Sequence, residues 1–394
     1  MSGGYRYAVE YFRDNDGTSL GAVPIEVDWG PALEWAHFSG VRRGTLEAVS
    51  SPRGGSIEPL WDPSRGQPMV RALRAVASTS GGSGEVACEI PFSYFHDLAL
   101  RGSDRLLAEG LLKRGEAFRY AVCAFAVDAR LSPVSVTEAQ GLQIEFEDLE
   151  ERPQELALEV RPLEAYSERS MACGGKSAPA DIPVFIPQQV TEEALELCQS
   201  ANGLETGGVF VGYLRRAAEG NEVFVEVSAQ IPAVHTESKT TRLTFTPETW
   251  SAVRAAMELR GQCELMVGWW HYHPNWCAGC PPERAERCPI SSDFFSFDDR
   301  HLHRTCFPRA YQMAMLFSDH SGSGMNASLF AWRQGTLVSR GFHVLAGDAP
   351  GLGDSGVGDR TGGVTSDDHR GKEPVTAPGP SDTNAGQGGQ HVTT

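Results

Sequence analysis

Residues 265–274 read Leu-Met-Val-Gly-Trp-Trp-His-Tyr-His-Pro. The apolar and aromatic run up to Trp270 predicts a buried β-strand that ends at the proline. Because side chains alternate between the two faces of a strand, His271 and His273 lie on one face, close enough to bind the same metal ion. The stretch therefore predicts a metal site at a strand end, provided that other segments supply the remaining groups.

A His-x-His pair is weak evidence by itself, because 11 histidines in 394 residues form roughly 0.3 such pairs by chance. The chain has a second pair, His301 and His303. A catalytic zinc needs three protein ligands, an open position for water and a nearby base. Two further segments offer such groups: Ser296 to Asp299, which open a helix predicted over 298–304, and Glu205, which precedes a glycine-bearing strand.

Each of these residues also has a purely structural interpretation. Ser296 and Asp299 have the spacing of a helix capping box. Glu205 alone is typical of a solvated loop carboxylate. Asp298 and Asp293 compete with Asp299 for the role of ligand, since spacing does not fix the register of a loop.

Together the three segments resemble the JAMM, or MPN-plus, metalloprotease family. The family pattern is a glutamate ahead of a G-x-hydrophobic-x-G strand, then H-x-H-P at a strand end, then S-x-x-D, and all three blocks occur here in that order. The resemblance covers about residues 182–345. It implies an α/β (α+β), deaminase-like catalytic domain in which helices flank a mixed sheet.

The resemblance also implies roles for individual residues. His271, His273 and Asp299 would bind Zn²⁺, Glu205 would deprotonate the zinc-bound water, and Ser296 would stabilise the oxyanion. The implied reaction is hydrolysis of the peptide or isopeptide bond after the C-terminal glycine of a ubiquitin-like protein, whether free or conjugated. The N-terminal module is expected to bind this modifier or its target.

The segment between the second histidine of H-x-H-P and the serine of S-x-x-D has 22 residues, more than the family pattern has. It contains C-x-x-C and a third cysteine, and thiolates at this spacing favour a second, structural zinc. The alternatives are a loop of reduced cysteines and a redox role. The predicted ligands are Cys277, Cys280 and Cys288, with Cys306, His301 or His303 as the fourth.

Two other functions compete with the peptidase. Zinc-dependent deaminases combine H-x-E with P-C-x-x-C, and here His235-Thr236-Glu237 precedes the C-x-x-C. Trp276 stands where their proline would be, which counts against this interpretation. The second alternative is a non-catalytic MPN scaffold, although scaffolds usually lack the ligands that this chain has.

Composition limits the classes of partner. The formal net charge of −17 disfavours binding to a nucleic-acid backbone. The sequence shows neither a bilayer-spanning apolar run nor an export signal, so we expect a cytoplasmic protein without membrane partners. An odd number of cysteines, nine, argues against a disulfide framework. Only four of the 34 basic residues are lysines, which favours a bacterial source, and nothing indicates the oligomeric state.

The length predicts two globular domains. Residues 1–160 are predicted as a mixed or β-rich module, and the end of this module is also similar to a fibronectin-type sandwich. Its predicted strands are 5–12, 22–27, 85–91 and 118–127, and its predicted helix is 104–113.

The rest of the chain is predicted to contain one more domain between two unfolded segments. Residues 161–181 are predicted as a linker, residues 182–345 as the JAMM/MPN domain, and residues 346–394 as a disordered tail, because the tail has almost no large apolar side chains.

Overall fold

The structure is a computed structural model, in which two β-sheets are covered by helices. Among the residues that it describes, no helix combines the length and the apolar character needed to cross a bilayer. The described residues are 4–49, 54–78, 84–127, 155–220, 222–234, 236–239, 242–275, 294–320, 324–347 and 391–393.

In its described residues, the N-terminal module is an antiparallel sheet packed against two helices. Its strands are β1 (Tyr5–Arg13), β2 (Ser19–Ile25), β3 (Gly55–Trp61), β4 (Met69–Ser78), β5 (Glu85–Pro91) and β6 (Ala117–Ala126), and its helices are α1 (Gly30–Arg43) and α2 (His96–Ala108). A 3₁₀ turn, Phe92–Phe95, precedes α2. The strand order is β2-β1-β6-β4-β3, with β5 paired to β4.

Alternate residues of β1 explain why this sheet has an inner face. Tyr7, Val9 and Tyr11 are buried, as expected when every second side chain of a strand points to the core. The strands predicted at 5–12, 85–91 and 118–127 are confirmed. The helix predicted at 104–113 lies earlier, over His96–Ala108. The sheet is covered by helices, which a fibronectin-type sandwich lacks, and the segments 131–136 and 142–146, on which that interpretation also rested, lie outside the described residues.

The second sheet contains the histidine strand. Its order is β17-β16-β15-β14-β10-β11-β9-β18-β8, with β7 paired to β10, and it mixes parallel and antiparallel pairs. A small hairpin, β12–β13, lies apart from it. The strands are β7 (Glu159–Arg161), β8 (Ser170–Cys173), β9 (Val184–Pro187), β10 (Gly207–Ala217), β11 (Val223–Pro232), β12 (Glu237–Lys239), β13 (Arg242–Thr244), β14 (Leu265–His273), β15 (Met313–His320), β16 (Gly324–Arg333), β17 (Thr336–Arg340) and β18 (Phe342–Leu345).

Among the described residues, four helices belong to this part of the chain: α3 (Leu163–Glu168), α4 (Gln188–Ser200), α5 (Pro247–Arg260) and α6 (Phe297–Cys306). Helix α5 has the predicted start, with Thr246 as N-cap and proline in the first turn. It ends at Gly261, whose φ of +63° is a left-handed conformation that glycine adopts without strain.

The segment predicted as an interdomain linker, 161–181, is instead part of the second sheet. Strand β8 pairs with β18, and Tyr166 of α3 packs against Phe185 and Phe224 with ring centroids 5.4 and 5.0 Å away. Elements of four to six residues are too short to show a helical or strand period, which is why the sequence pattern missed them.

The two units share one continuous hydrophobic core. Polar contacts add to this junction: Arg216 Nη2 donates to the Val41 carbonyl at the end of α1 (2.8 Å), and the Ala310 N–H donates to Glu34 (3.3 Å). Burial raises the pKa of Glu34 to about 7, with Arg309 opposing the shift. The N-terminal module is therefore packed directly on the unit that holds the histidine strand.

Most of the tail predicted as disordered lies outside the described residues. The exceptions are Ala346 and Gly347 at its start and strand β19 (His391–Thr393), which pairs with β6 of the N-terminal sheet. For the three residues of β19 the structure differs from the prediction.

Candidate metal centre

Strand β14 brings His271 and His273 together. The strand lies inside the second sheet, between β10 and β15, and its two histidines are 0 % and 3 % exposed. Their Nε2 atoms are 3.0 Å apart and face each other. The alternation of side chains along a strand is the local cause of this geometry.

Helix α6 adds Asp299 to the pair. Asp299 Oδ1 is 3.4 Å from His271 Nε2, and Asp299 Oδ2 is 3.8 Å from His273 Nε2. The three residues offer ligand atoms that all lie within 4.8 Å of one another. Ligand atoms around a tetrahedral zinc are about 3.3 Å apart, given bonds of about 2.0–2.1 Å, so the spacing fits this ion.

Of the alternative ligands, Asp298 is not part of this group. Asp298 is exposed on α6, and Asp293 lies outside the described residues. Burial would raise the pKa of Asp299, but the charge of His271 and hydrogen bonds from His271 and Ser296 outweigh that effect, and the pKa lies well below its usual range. A deprotonated carboxylate is the form that binds a metal.

Glu205 precedes β10 and reaches the same cavity. Gly207 is opposite His271 in the sheet, where a Cβ would come within 2.5 Å of the Trp270 carbonyl oxygen. Glycine therefore permits the close approach of β10 to β14 that brings Glu205 to the site. Glu205 as a whole is 4 % exposed.

Burial raises the pKa of Glu205 to about 7, and the charge of Asp299 adds to the shift, while His271 and a hydrogen bond from the Leu243 backbone oppose it. A positive metal ion close by would also oppose it. This carboxyl is therefore not the solvated loop residue that its sequence context suggests.

Ser296 has both of the properties considered from the sequence. It is the N-cap of α6 and forms a capping box: its Oγ accepts from Asp299 N (3.1 Å), and its N–H donates to Asp299 Oδ2 (2.8 Å). Because Oγ accepts in this bond, its own hydrogen is available for a donor role. Ser296 also lines the cavity, so it orients Asp299 and presents a hydroxyl to the site.

The roles of two residues behind the site, Trp269 and His303, were missed in the sequence. The Trp269 indole stacks on the His271 ring, with centroids 4.6 Å apart at an angle of 15°. Its Nε1–H donates to Nδ1 of His303 (3.0 Å), which is fully buried on α6. Burial lowers the pKa of His303 to about 3, with Arg304 adding to the shift, so the ring is neutral. The spacing of His303, four residues after Asp299, is the signal that could have indicated its position.

The cavity beside these residues has a volume of about 980 Å³. Its walls combine the polar groups of the site with apolar side chains, including Leu243 of the β12–β13 hairpin, Phe245, Phe294 and Leu302. A pocket of this size with a few converging polar groups has the character of a ligand-binding site.

The predicted second zinc falls largely outside the described residues, since Cys277, Cys280 and Cys288 all lie there. Of the candidates for its fourth ligand, Cys306 is half-buried and His301 is exposed, and both line the cavity. His303 is enclosed by aromatic rings and bonded to Trp269. The residues of the deaminase alternative also fall largely outside the described residues, since His235, Cys277 and Cys280 lie there.

The chain is similar to a known protein over part of its length. No family model matches the chain. A probable metalloprotease, y4qB of Sinorhizobium fredii, is 31 % identical over 108 residues, which are 27 % of this chain and 62 % of that protein. The chain thus matches less than two thirds of that relative.

A solved structure, that of protein DSY2949 from Desulfitobacterium hafniense, is 15 % identical with a TM-score of 0.29, over 42 % of this chain and 94 % of the other.

Proposed function

We propose that the chain is a zinc-dependent peptidase of the JAMM type. The observation that carries the proposal is the group of His271, His273 and Asp299, whose ligand atoms lie within 4.8 Å of one another beside a buried Glu205. The relative from Sinorhizobium fredii, described as a probable metalloprotease, supports a peptidase-like activity. The JAMM fold and type follow from the resemblance of residues 182–345 to that family.

The chain's own residues suit hydrolysis of an amide. Zinc at these ligands would supply a bound water of lowered pKa and a Lewis acid. Glu205, whose pKa is raised to about 7 by burial, is suited to take the water proton and return it to the leaving nitrogen. The Ser296 hydroxyl can donate to the negative oxygen that develops on the carbonyl, where one donor is worth about 3 kcal/mol.

The proposed substrate is the peptide or isopeptide bond after the C-terminal glycine of a ubiquitin-like protein. This substrate class rests on the resemblance. The cavity is compatible with an extended chain, since its volume is about 980 Å³ and its wall includes the apolar side chains of Leu243, Phe245 and Leu302.

The experiment compares Glu205→Gln with the wild type, both loaded with Zn²⁺. Substrates are fluorogenic Gly-Gly amides and fusions of ubiquitin-like proteins to a reporter. We expect turnover to fall by roughly a thousandfold while the zinc content, measured by mass spectrometry, stays the same. The matched control is Glu196→Gln on the exposed face of α4, which should retain full activity.

A non-catalytic MPN scaffold predicts a different result. Such a protein would show no cleavage that a chelator abolishes and Zn²⁺ restores, and Glu205→Gln would then have nothing to remove. That outcome across the substrate panel would rule out the peptidase.

A further inference from the structure

A second cavity lies on the other side of α6 from the metal centre. Its volume is about 1160 Å³, and its walls come from α2 of the N-terminal module and from α6, with Asp28 and Arg114 from the segments before α1 and after α2. Asp298, His301 and Thr305 line both this cavity and the metal-site cavity. These residues follow helical spacing, i, i+3 and i+7, so they form one ridge along α6 between the two spaces.

Ion pairs hold the two walls of the second cavity together. Asp97 of α2 lies 3.3 Å from Arg304 and 3.8 Å from Arg300, both on α6. The Asp97 side chain is 15 % exposed, and the arginines are 21 % and 28 % exposed, so the pairs are partly shielded from water. Together with the shared core, they keep α2 beside α6.

The lining of this cavity matches a polypeptide better than an anion. Four arginines are balanced by four aspartates, which gives both strong donors and strong acceptors for backbone groups but no net positive charge for a phosphate backbone. Apolar surface is present as well, from Leu100 and Leu107 on α2 and from Phe297, which is 54 % exposed.

We propose that the cavity between α2 and α6 receives the part of a polypeptide substrate that extends beyond the metal-site cavity, on one side of the scissile bond. The inference rests on the peptidase function proposed above. Two adjoining cavities of about 980 and 1160 Å³ exceed what a small ligand of ordinary size needs, and a chain that crosses the ridge occupies both. The N-terminal module then forms one wall of the substrate channel.

The test compares a short and a long substrate of the full-length, Zn²⁺-loaded protein. The short one is an acetylated Gly-Gly amide of a fluorescent amine. The long one is a mixture of peptides of about twelve residues, randomised around a central Gly-Gly, since an extended residue spans about 3.3 Å. The variants are Arg101→Glu, which reverses an exposed charge in the cavity, and Leu107→Arg, which fills it.

Both variants should lower kcat/KM on the long peptides by about tenfold and leave kcat/KM on the short amide within about twofold, an effect of contacts outside the reacting centre. The matched control is Arg105→Glu, on the same helix but outside the cavity, where Arg105 pairs with Glu109. It should change neither value. Thermal melting checks that Leu107→Arg folds, and Arg101→Glu serves alone if it does not.

An equal loss on both substrates, or no loss on either, would overturn the proposal. If the wild type cleaves neither substrate, the peptidase function fails on this panel, and binding of fluorescein-labelled long peptides still decides the inference. Anisotropy that Arg101→Glu reduces and Arg105→Glu preserves supports it. Binding that is absent, or equal in both variants, contradicts it.

Discussion

The two His-x-His pairs share one sequence motif, but their side chains are arranged differently in the structure. His271 and His273 lie on a strand, so their side chains share a face and their Nε2 atoms meet at 3.0 Å. His301 and His303 lie on a helix, where residues two apart point to nearly opposite sides, so one is exposed and the other is fully buried. A His-x-His motif therefore indicates a shared metal site only when it lies on a strand, where residues two apart point to the same face.

The buried member of the second pair nevertheless supports the first. His303 accepts a hydrogen bond from Trp269, and Trp269 stacks on His271. His303 also lies on the helix that carries Asp299. Through its hydrogen bond to Trp269, the neutral His303 ring connects β14, which carries two of the proposed ligands, to α6, which carries the third. We therefore assign His303 as a positioning residue.

The largest contrast is expected when each pair loses one histidine. His271→Ala removes a ligand, and we expect Zn²⁺ affinity to fall by more than the roughly 10- to 100-fold that loss of an outer-shell partner costs, with activity lost as well. His301→Ala, on the exposed side of α6, should keep Zn²⁺ affinity within about twofold. Competition with a chromophoric chelator measures both affinities. Similar losses of Zn²⁺ affinity in the two variants would contradict the assignment of His271, and not His301, to the metal site.

The sequence predicted much of the primary site and little of its support. Alternation along residues 265–273 was sufficient to put two histidines on one face, and the S-x-x-D spacing indicated the helix cap. The ligand role proposed for Asp299 comes from the family resemblance. The Trp269–His303 hydrogen bond joins residues 34 positions apart. The pattern of residues within one helix or strand cannot predict such a contact.

Helix α1 was missed for a different reason. Its buried residues include Trp35, Ala36, His37 and Phe38, four in succession, so the helix is covered on all sides. A helix without a polar face lacks the amphipathic pattern by which helices are recognised in a sequence.

A smaller effect is expected from the positioning residue. His303→Leu removes the acceptor for Trp269, and we expect Co²⁺ and Zn²⁺ affinity to fall by about 10- to 100-fold. His303→Asn keeps an acceptor oxygen and should recover part of that loss. The control is His343→Leu, which removes a half-buried histidine from β18 that lies outside the metal-site cavity.

The Co²⁺ absorption spectrum adds a readout that stability alone would not change. The contrary result is that His303→Leu binds both metals as tightly as the wild type and gives the same spectrum. That result would contradict the positioning role of His303 behind His271 and His273. Failure of the wild type to bind either metal would instead contradict the metal site itself.

The smallest expected effect is a pH dependence of stability that comes from His303 and not from the exposed His301. The pKa of His303 is about 3 in the folded chain against an ordinary value of 6.5, so the unfolded chain takes up the proton first as the pH falls. The contribution of the neutral His303 ring to the free energy of unfolding is fully present above pH 6.5. It is lost as the pH falls from there toward 3.

Between pH 7 and 5.5 the loss amounts to about 1 kcal/mol of unfolding free energy. Urea unfolding with a chelator present, at both pH values, measures it without a contribution from bound metal. His303→Asn keeps an acceptor for Trp269 but cannot be protonated in this range, so its stability should depend less on pH by this amount. Equal pH dependence in the wild type and His303→Asn would mean that the imidazole is protonated within the fold, and the neutral ring assigned to it as the partner of Trp269 would be wrong.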